Sequence, residues 1–150
     1  MKIISGGQTG VDRGALDAAI ALDIPHGGWC PHGRLAEDGR IPDRYLLRET
    51  DSSEYFIRTE RNVLDSDATL ILCRGQISGG TELTLRLAER HRRTVLVVDL
   101  ESSPDPIDVC RWLEEHHVKV LNVAGPRESQ SPGIGAAAEE FLRRLLLGCG

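Results

Sequence analysis

Long apolar runs, lysine and paired cysteines are all scarce in this chain of 150 residues, and each shortage excludes a class of protein. No apolar run approaches the roughly 18 residues that a membrane-spanning helix requires. The first five residues lead directly into a glycine turn, without the apolar leader of a secreted protein. We therefore expect a cytoplasmic protein with no membrane partner, folded as one domain over residues 1–150.

Lysine accounts for only two of the 18 basic residues, and the other 16 are arginine. Arginine suits bidentate contacts with phosphate or carboxylate, although codon bias produces the same excess. The formal net charge of −5 argues against a nucleic-acid partner, because nonspecific affinity for nucleic acid depends on surplus cations. These features favour a small anionic ligand.

The four cysteines, Cys30, Cys73, Cys110 and Cys149, are far apart and form no CxxC pair. Their spacing predicts neither a disulfide framework nor a structural zinc site. Cys30 and His32 are separated by one residue, but two ligands on a loop do not define a metal centre. We therefore expect no resident metal.

Apolar runs typical of strands alternate with amphipathic, helical runs. The predicted strands are residues 2–5, 28–30, 68–73, 94–99 and 118–123, with 68–73 as the central strand. The predicted helices are residues 11–22, 53–64, 81–91, 106–117 and 134–147. This alternation predicts an α/β fold, a Rossmann-like three-layer αβα arrangement whose mostly parallel sheet has about five strands in the order 2-1-3-4-5. The long polar connection 31–50 is typical of a functional or disordered loop.

The first glycine loop, Ser-Gly-Gly-Gln-Thr-Gly at residues 5–10, lies between a predicted strand and a predicted helix. It matches neither the dinucleotide motif GxGxxG nor the phosphate loop GxxxxGK[ST]. A glycine turn at a helix N-terminus nevertheless exposes N–H groups and the positive end of the helix dipole to an oxyanion. Gln8 and Thr9 add neutral donors, and Asp12 suits the first helical turn. A tight turn with a helix cap is the structural alternative.

The second glycine loop, Ser-Gly-Gly-Thr at residues 78–81, repeats this arrangement after the central strand. Ligands of open parallel sheets bind beyond the carboxyl ends of the strands, so both loops are expected at one crevice. Glu82 in the next helical turn either contacts the ligand or only complements the dipole.

Several arginines are candidates for holding an anion at this crevice. Arg58 and Arg61 lie three residues apart on a predicted helix and share a face, which is either solvated or an anion clamp. Arg34, in the polar segment 31–40, belongs to a possible lid or oligomer contact. The full set of candidate ligand-binding residues is Gly6, Gly7, Gln8, Thr9, Gly10, Asp12, Arg34, Arg58, Arg61, Gly79, Gly80, Thr81 and Glu82.

Six blocks of this sequence, in order, resemble one known family. They are residues 5–14 (SGGQTGVDRG), 28–34 (GWCPHGR), 58–62 (RTERN), 66–68 (SDA), 79–81 (GGT) and 122–127 (NVAGPR). The pattern is similar to that of the putative molybdenum carrier proteins, which are related to the molybdenum cofactor carrier protein of algae and to the LONELY GUY type phosphoribohydrolases. The blocks extend over most of the chain.

This resemblance implies a Rossmann-like fold, a homo-oligomer (dimer or tetramer) and a ligand of the phosphorylated pterin or nucleotide class, with the molybdenum cofactor as cargo. In the related hydrolases the motif PGGxGTxxE supplies a catalytic Glu three residues after its Thr, whereas Thr84 stands there in this chain. Arg58 matches the upstream Arg of those enzymes. We therefore expect a binding protein without catalytic function.

Two alternatives to that binding protein remain open. One is a nucleoside 5′-monophosphate glycosidase, in which Arg58 is retained and Glu82 or Asp12 replaces the missing carboxylate. The other is a nucleotide-sensing module that acts through a partner.

Overall fold

The structure, a computed structural model, describes residues 1–149, which contain five α-helices, one 3₁₀ turn at Leu100–Ser102 and nine short strands. The strands are β1 (Lys2–Ile4), β2 (His26–Gly27), β3 (Trp29–Cys30), β4 (Leu35–Ala36), β5 (Gly39–Arg40), β6 (Arg48–Glu49), β7 (Ala68–Cys73), β8 (Thr94–Asp99) and β9 (Val120–Ala124). The helices are α1 (Val11–Ala21), α2 (Tyr55–Leu64), α3 (Gly79–Arg90), α4 (Pro106–Glu115) and α5 (Ile134–Cys149).

Five of the strands form one parallel sheet in the order β2-β1-β9-β7-β8. The predicted α/β class, three layers and parallel sheet are confirmed. The predicted order 2-1-3-4-5 differs, because the last strand lies between the first and the third, giving 2-1-5-3-4. Since β9 pairs with both β1 and β7, counting the strands from β9 gives 3-2-1-4-5, which is the start of the Rossmann strand order.

The central strand of the sheet is β9, which corrects the prediction that residues 68–73 hold this position. Strand β7 is an interior strand between β9 and β8, as its composition indicates. All six of its residues, Ala-Thr-Leu-Ile-Leu-Cys, are buried, as expected for a parallel strand covered on both faces. Helices α1, α4 and α5 cover one face of the sheet, where Leu70 and Leu121 join the main core cluster. Helices α2 and α3 cover the other face around Val63 and Leu87.

The second strand is displaced from its predicted position at residues 28–30. The sheet instead uses His26–Gly27, while Trp29–Cys30 turns away and pairs with Arg48–Glu49. Gly28 lies between the two pieces with φ of 126°, a conformation that allows this change of direction. The segment 31–50 is therefore ordered by its own short ladders, including the hairpin of β4 and β5.

Cys110 and Cys149 form a disulfide bond between α4 and α5, which the cysteine spacing, read as predicting no disulfide framework, did not indicate. The two residues are 39 positions apart, and only the packing of α4 against α5 brings their Cα atoms to 5.5 Å. Within residues 1–149, no cluster of three or more His, Cys, Asp or Glu side chains is arranged to hold a metal ion. No helix in that range has both the length and the apolarity that crossing a membrane requires.

Candidate functional site

A narrow cleft opens at the carboxyl edge of the sheet, where β9 and β7 lie side by side. Crossovers from these two strands lead to opposite faces of the sheet, since β9 continues into α5 and β7 into α3. Ligands of doubly wound sheets bind at such a point. The cavity volume is about 80 Å³, which is room for roughly three water molecules at the volume each occupies in the liquid.

Arg58 of α2 forms one wall of the cleft through a close approach to the backbone of the first glycine loop, which follows β1. Its Nη1 donates a hydrogen bond to the carbonyl oxygen of Gly6 at 2.9 Å. A Cβ atom on residue 6 would collide with this guanidinium, so a larger residue there would displace the Arg58 side chain. The guanidinium also lies over the ring of Tyr55, 5.2 Å from its centroid. Arg58 is therefore held in place by the chain before any ligand binds.

Asp12, in the first turn of α1, places a carboxyl group in the same cleft. Its Oδ2 lies 3.5 Å from Nη1 of Arg58 and accepts a hydrogen bond from the backbone N–H of Gln8. Burial raises the pKa of Asp12 above its ordinary value, although the charge of Arg58 opposes this shift. The cleft consequently combines a cation with a carboxyl group that takes up a proton more readily than an exposed aspartate.

Gln8 and Asn122 each present one unpaired polar atom at the cleft. The Oε1 atom of Gln8 accepts hydrogen bonds from the backbone N–H groups of Thr9 and Glu37, and no partner within residues 1–149 binds its Nε2. Asn122 of β9 donates through Nδ2 to Thr69, while its Oδ1 has no donor among the described residues. The cleft thus offers an amide donor and an amide acceptor to a ligand.

The N-terminus of α3 forms the opposite wall. Ser78 precedes this helix with extended backbone and makes no side-chain capping bond. Gly80 and Thr81 line the cleft, where the first N–H groups of the helix have no intrahelical acceptor. Thr81 is 97% buried, and its hydroxyl has no hydrogen-bond partner among residues 1–149. A helix N-terminus with an open hydroxyl is a suitable cradle for an oxyanion.

Arg127 and Gln130, in the loop between β9 and α5, lie at the mouth of the cleft. The Arg127 guanidinium is half-buried and makes no ion pair with any described carboxylate. Sequence reasoning did not select these residues, because it weighed the loops after the first and third strands most heavily. The sequence did contain an indication of their role, because residues 125–133 also follow a strand and therefore lie at the carboxyl edge of the sheet.

The structure brings six of the predicted ligand-binding residues together at the cleft: Gly6, Gln8, Asp12, Arg58, Gly80 and Thr81. The other seven do not line it: Gly7, Thr9, Gly10, Arg34, Arg61, Gly79 and Glu82. Tyr55, Thr84, Asn122 and Arg127 line the cleft and were not predicted.

The polar residues outside the cleft serve other parts of the fold. Arg34 is buried and donates hydrogen bonds to the carbonyl oxygens of Ile41, Pro42 and Tyr45. These bonds stabilise the conformation of the segment 31–50. Arg61 lies 4.7 Å from the centroid of the Trp29 ring.

Two further candidates are paired elsewhere in the chain. The hydroxyl of Thr9 bonds to Glu37 and accepts from the backbone of Glu128. Glu82 pairs with Arg86 one turn along α3, 2.6 Å away.

Comparison with known proteins agrees with this topology. The sequence profile of the circularly permutated YpsA SLOG family matches residues 3–146. A putative molybdenum carrier protein from Syntrophus aciditrophicus SB has a crystal structure similar to this one, with a TM-score of 0.92 and 49% sequence identity, over 97% of this chain and 94% of that one. No curated protein matches the chain.

The sequence profile and the structural relative both span nearly the whole chain, so they apply to the complete fold. The description of the family names a circular permutation, and the strand order of this sheet is a rotation of the Rossmann order. The resemblance to the putative molybdenum carrier proteins is confirmed, and the chain belongs to the circularly permutated YpsA SLOG family.

Proposed function

We propose that this protein binds a small phosphate-bearing ligand of the pterin or nucleotide class in the cleft between β9 and β7. The observation that carries the proposal is the open N-terminus of α3, where Thr81 lines the cleft and its hydroxyl makes no hydrogen bond within residues 1–149. The relative from Syntrophus aciditrophicus is described as a molybdenum carrier. By that analogy, the cargo of this chain is the molybdenum cofactor, a phosphorylated pterin.

The phosphate fits the end of the cleft formed by α3 and Arg127. Free N–H groups in the first turn, the helix dipole and a hydroxyl donor all favour a negative group there. Arg127 adds a cation without an ion-pair partner among the described residues. Because the cavity is only about 80 Å³, it accommodates the phosphate, and the rest of the ligand extends towards the mouth near Tyr55.

The other end of the cleft favours a ligand that also carries hydrogen-bond donors. Asp12 and the free Oδ1 of Asn122 are acceptors, and the Asp12 carboxylate repels a second anion. A bare oxyanion such as molybdate uses only the donors of the site. A pterin or nucleotide carries ring N–H groups or sugar hydroxyls in addition to phosphate. Its phosphate accepts hydrogen bonds at the α3 end of the cleft, and its N–H or O–H groups donate to the acceptors at the other end.

Isothermal titration calorimetry with AMP, GMP, molybdopterin, molybdate and inorganic phosphate tests this proposal. We expect the phosphorylated heterocycles to bind at least tenfold more tightly than phosphate or molybdate. Arg127→Gln should weaken their binding, while Arg40→Gln, a substitution of an exposed arginine away from the cleft, should leave it unchanged. Absence of binding by every compound would contradict the proposal.

A second candidate function is hydrolysis of a nucleoside monophosphate, favoured by one observation. Asp12 is a buried carboxyl group with a raised pKa next to Arg58, and such groups act as general acids or bases. Glu82, the other candidate carboxylate, pairs with Arg86 outside the cleft. Chromatography of nucleoside monophosphates incubated with the protein decides the matter: hydrolysis predicts free base that disappears in Asp12→Asn, and binding alone predicts none.

A further inference from the structure

A second concave surface, away from the cleft, carries positive charge that the fold itself does not use. This groove lies where β3 and β6 leave the main sheet, and its volume is about 400 Å³. It shares no lining residue with the cleft, whose volume is about 80 Å³. The side chains that give the groove its chemistry, hereafter the Trp29 groove, are Lys2, His26, Trp29, Leu46, Arg48 and Asp65.

The indole of Trp29 is a fixed platform in this groove. Its Nε1 donates a hydrogen bond to Oδ2 of Asp65 at 2.7 Å, and the Asn62 side chain bonds to the backbone N–H and carbonyl of Trp29 at 2.8 and 2.9 Å. The guanidinium groups of Arg48 and Arg61 lie over the ring, 5.7 and 4.7 Å from its centroid. Because these cation–π contacts restrict both arginines in advance, less conformational entropy is lost when they bind a carboxylate.

The cations at the groove have no counterions among the described residues. The exposed side chains of Lys2, Arg48 and Arg61 form no ion pair within residues 1–149. Asp65 is the acidic residue of the lining, and it bonds to the indole. Exposed Arg86, by contrast, pairs with a carboxylate one turn away on its own helix. The groove therefore has an excess of positive charge, although the net charge of the chain is −5.

Charge and shape together indicate what the groove accommodates. Carboxylates complement the three unpaired cations, and Leu46, which is 68% exposed, offers an apolar contact at the same surface. A concave surface of this kind admits projecting side chains, whereas the flat surface of a bilayer reaches only its rim. An acidic segment of a protein that also carries an apolar side chain matches both features.

We propose that the Trp29 groove binds a short acidic segment of a partner protein. Its carboxylates contact Lys2, Arg48 and Arg61, and an apolar side chain packs against Leu46. None of these four residues lines the cleft, so this inference is independent of the proposed function.

Fluorescence titration of the Trp112→Phe variant tests the proposal, because Trp29 is then the remaining tryptophan of the chain. The probe is a synthetic hexapeptide of glutamates and leucines, and the control peptide has glutamine in place of each glutamate. The acidic peptide should change the Trp29 emission in a saturable way, with an affinity at least about tenfold higher than that of the control peptide. Raising the NaCl concentration from about 50 to about 500 mM should weaken its binding about tenfold, because salt screens exposed charges.

Paired substitutions locate the binding surface. Lys2→Gln combined with Arg48→Gln removes two cations of the groove and should weaken binding of the acidic peptide at least about tenfold, as measured by calorimetry. Arg111→Gln combined with Arg143→Gln makes the same change in net charge on α4 and α5 and should keep the natural affinity. Circular dichroism checks that both variants are folded. AMP titration should give the natural result for both, because none of the four residues lines the cleft.

Four results would overturn the proposal. They are equal binding of the two peptides, binding of neither peptide, natural affinity in the folded groove variant, and binding of phosphatidylserine vesicles without binding of the acidic peptide. Light scattering adds a fifth, since a lower mass for the groove variant than for the natural protein would show that a second copy of the chain occupies the groove.

Discussion

The first and second glycine loops look alike in sequence and differ in the structure. Both follow a strand, contain paired glycines and a threonine, and precede a helix. In the first loop, Gly6 and Gly10 are buried and the side chains bond within the chain. In the second loop, Gly79 and Gly80 are exposed, and the N–H groups at the start of α3 lack partners inside the helix.

The glycines of the two loops are therefore needed for different reasons. A Cβ atom on Gly10 would collide with the carbonyl oxygen of Pro126, so this glycine lets two parts of the chain meet. A Cβ atom on Gly80 would have no neighbour within 4 Å. Gly10 therefore serves the scaffold, and of the first loop only Gly6 and Gln8 line the cleft, whereas the second loop leaves its backbone accessible to a ligand.

The largest effect should come from adding one methyl group to each loop. Gly10 has φ of 82° and ψ of −131°, so Gly10→Ala combines backbone strain with a collision and should lower the free energy of unfolding by at least about 3 kcal/mol. Gly80→Ala should raise it by about 0.5–1 kcal/mol, because alanine favours a helix. Urea unfolding measures both, and equal destabilisation would contradict the distinction.

The next effect concerns the segment 31–50, which supports the first loop. Ile41 and Leu47 pack close to Gly7, and Arg34 holds this segment through carbonyl contacts. Arg34→Lys removes the planar fork and should cost about 2 kcal/mol of unfolding free energy. The matched substitution of an exposed residue, Arg40→Lys, should cost less than about 0.5 kcal/mol. If Arg34→Lys instead weakened AMP binding without loss of stability, Arg34 would be a ligand residue.

A smaller effect, on ligand affinity or on stability, should distinguish Thr81 of the second loop from Thr9 of the first. Thr81→Val removes a hydroxyl that faces the cleft, so nucleotide or pterin affinity should fall about 5- to 30-fold with little change in stability. Thr9→Val removes the contacts with Glu37 and Glu128, so stability should fall and affinity should not. Calorimetric titration and urea unfolding of both variants test this crossover, and the reverse pattern would assign the ligand to the first loop.

The smallest effect should be a pH dependence carried by Glu37, which bonds to Thr9 of the first loop. Hydrogen bonds from Ser129 and Thr9 hold the pKa of Glu37 below its usual range. A lowered folded-state pKa contributes stability above the unfolded-state value, and this stability is lost as the pH falls through the folded-state pKa. The natural protein should therefore unfold at a higher temperature than Glu37→Gln near neutral pH, and the difference should disappear in acid. A constant difference at all pH values would contradict this reasoning.

The fold class could be predicted because its signals are local. The apolar run of β7 and the helical periodicity of α1 depend only on residues inside each element. The predicted bounds of both elements lie within one residue of the observed bounds. The position of β9 could not be predicted in this way. Its pairing with β1 joins residues more than 110 positions apart, and strand pairing at that distance leaves no local pattern in the sequence.

The candidate site was predicted only in part, for a related reason. A glycine loop before a helix indicates an anion site, and this signal located Gly80 and Thr81. The sequence does not show which way an arginine points, so it could not indicate that Arg34 and Arg61 lie outside the cleft. Their partners, the carbonyl groups of residues 41–47 and the ring of Trp29, are recognisable only in the folded chain.

The circular order of the strands has a consequence for finding related proteins. In most Rossmann sheets the glycine-rich turn after the leading strand comes early in the chain, and motif searches expect it there. In this chain the strand with that role is β9, so the corresponding turn at residues 125–133 comes last. Searches that require a fixed order of motifs will overlook such chains, whereas searches that accept any rotation of the same blocks will retrieve them.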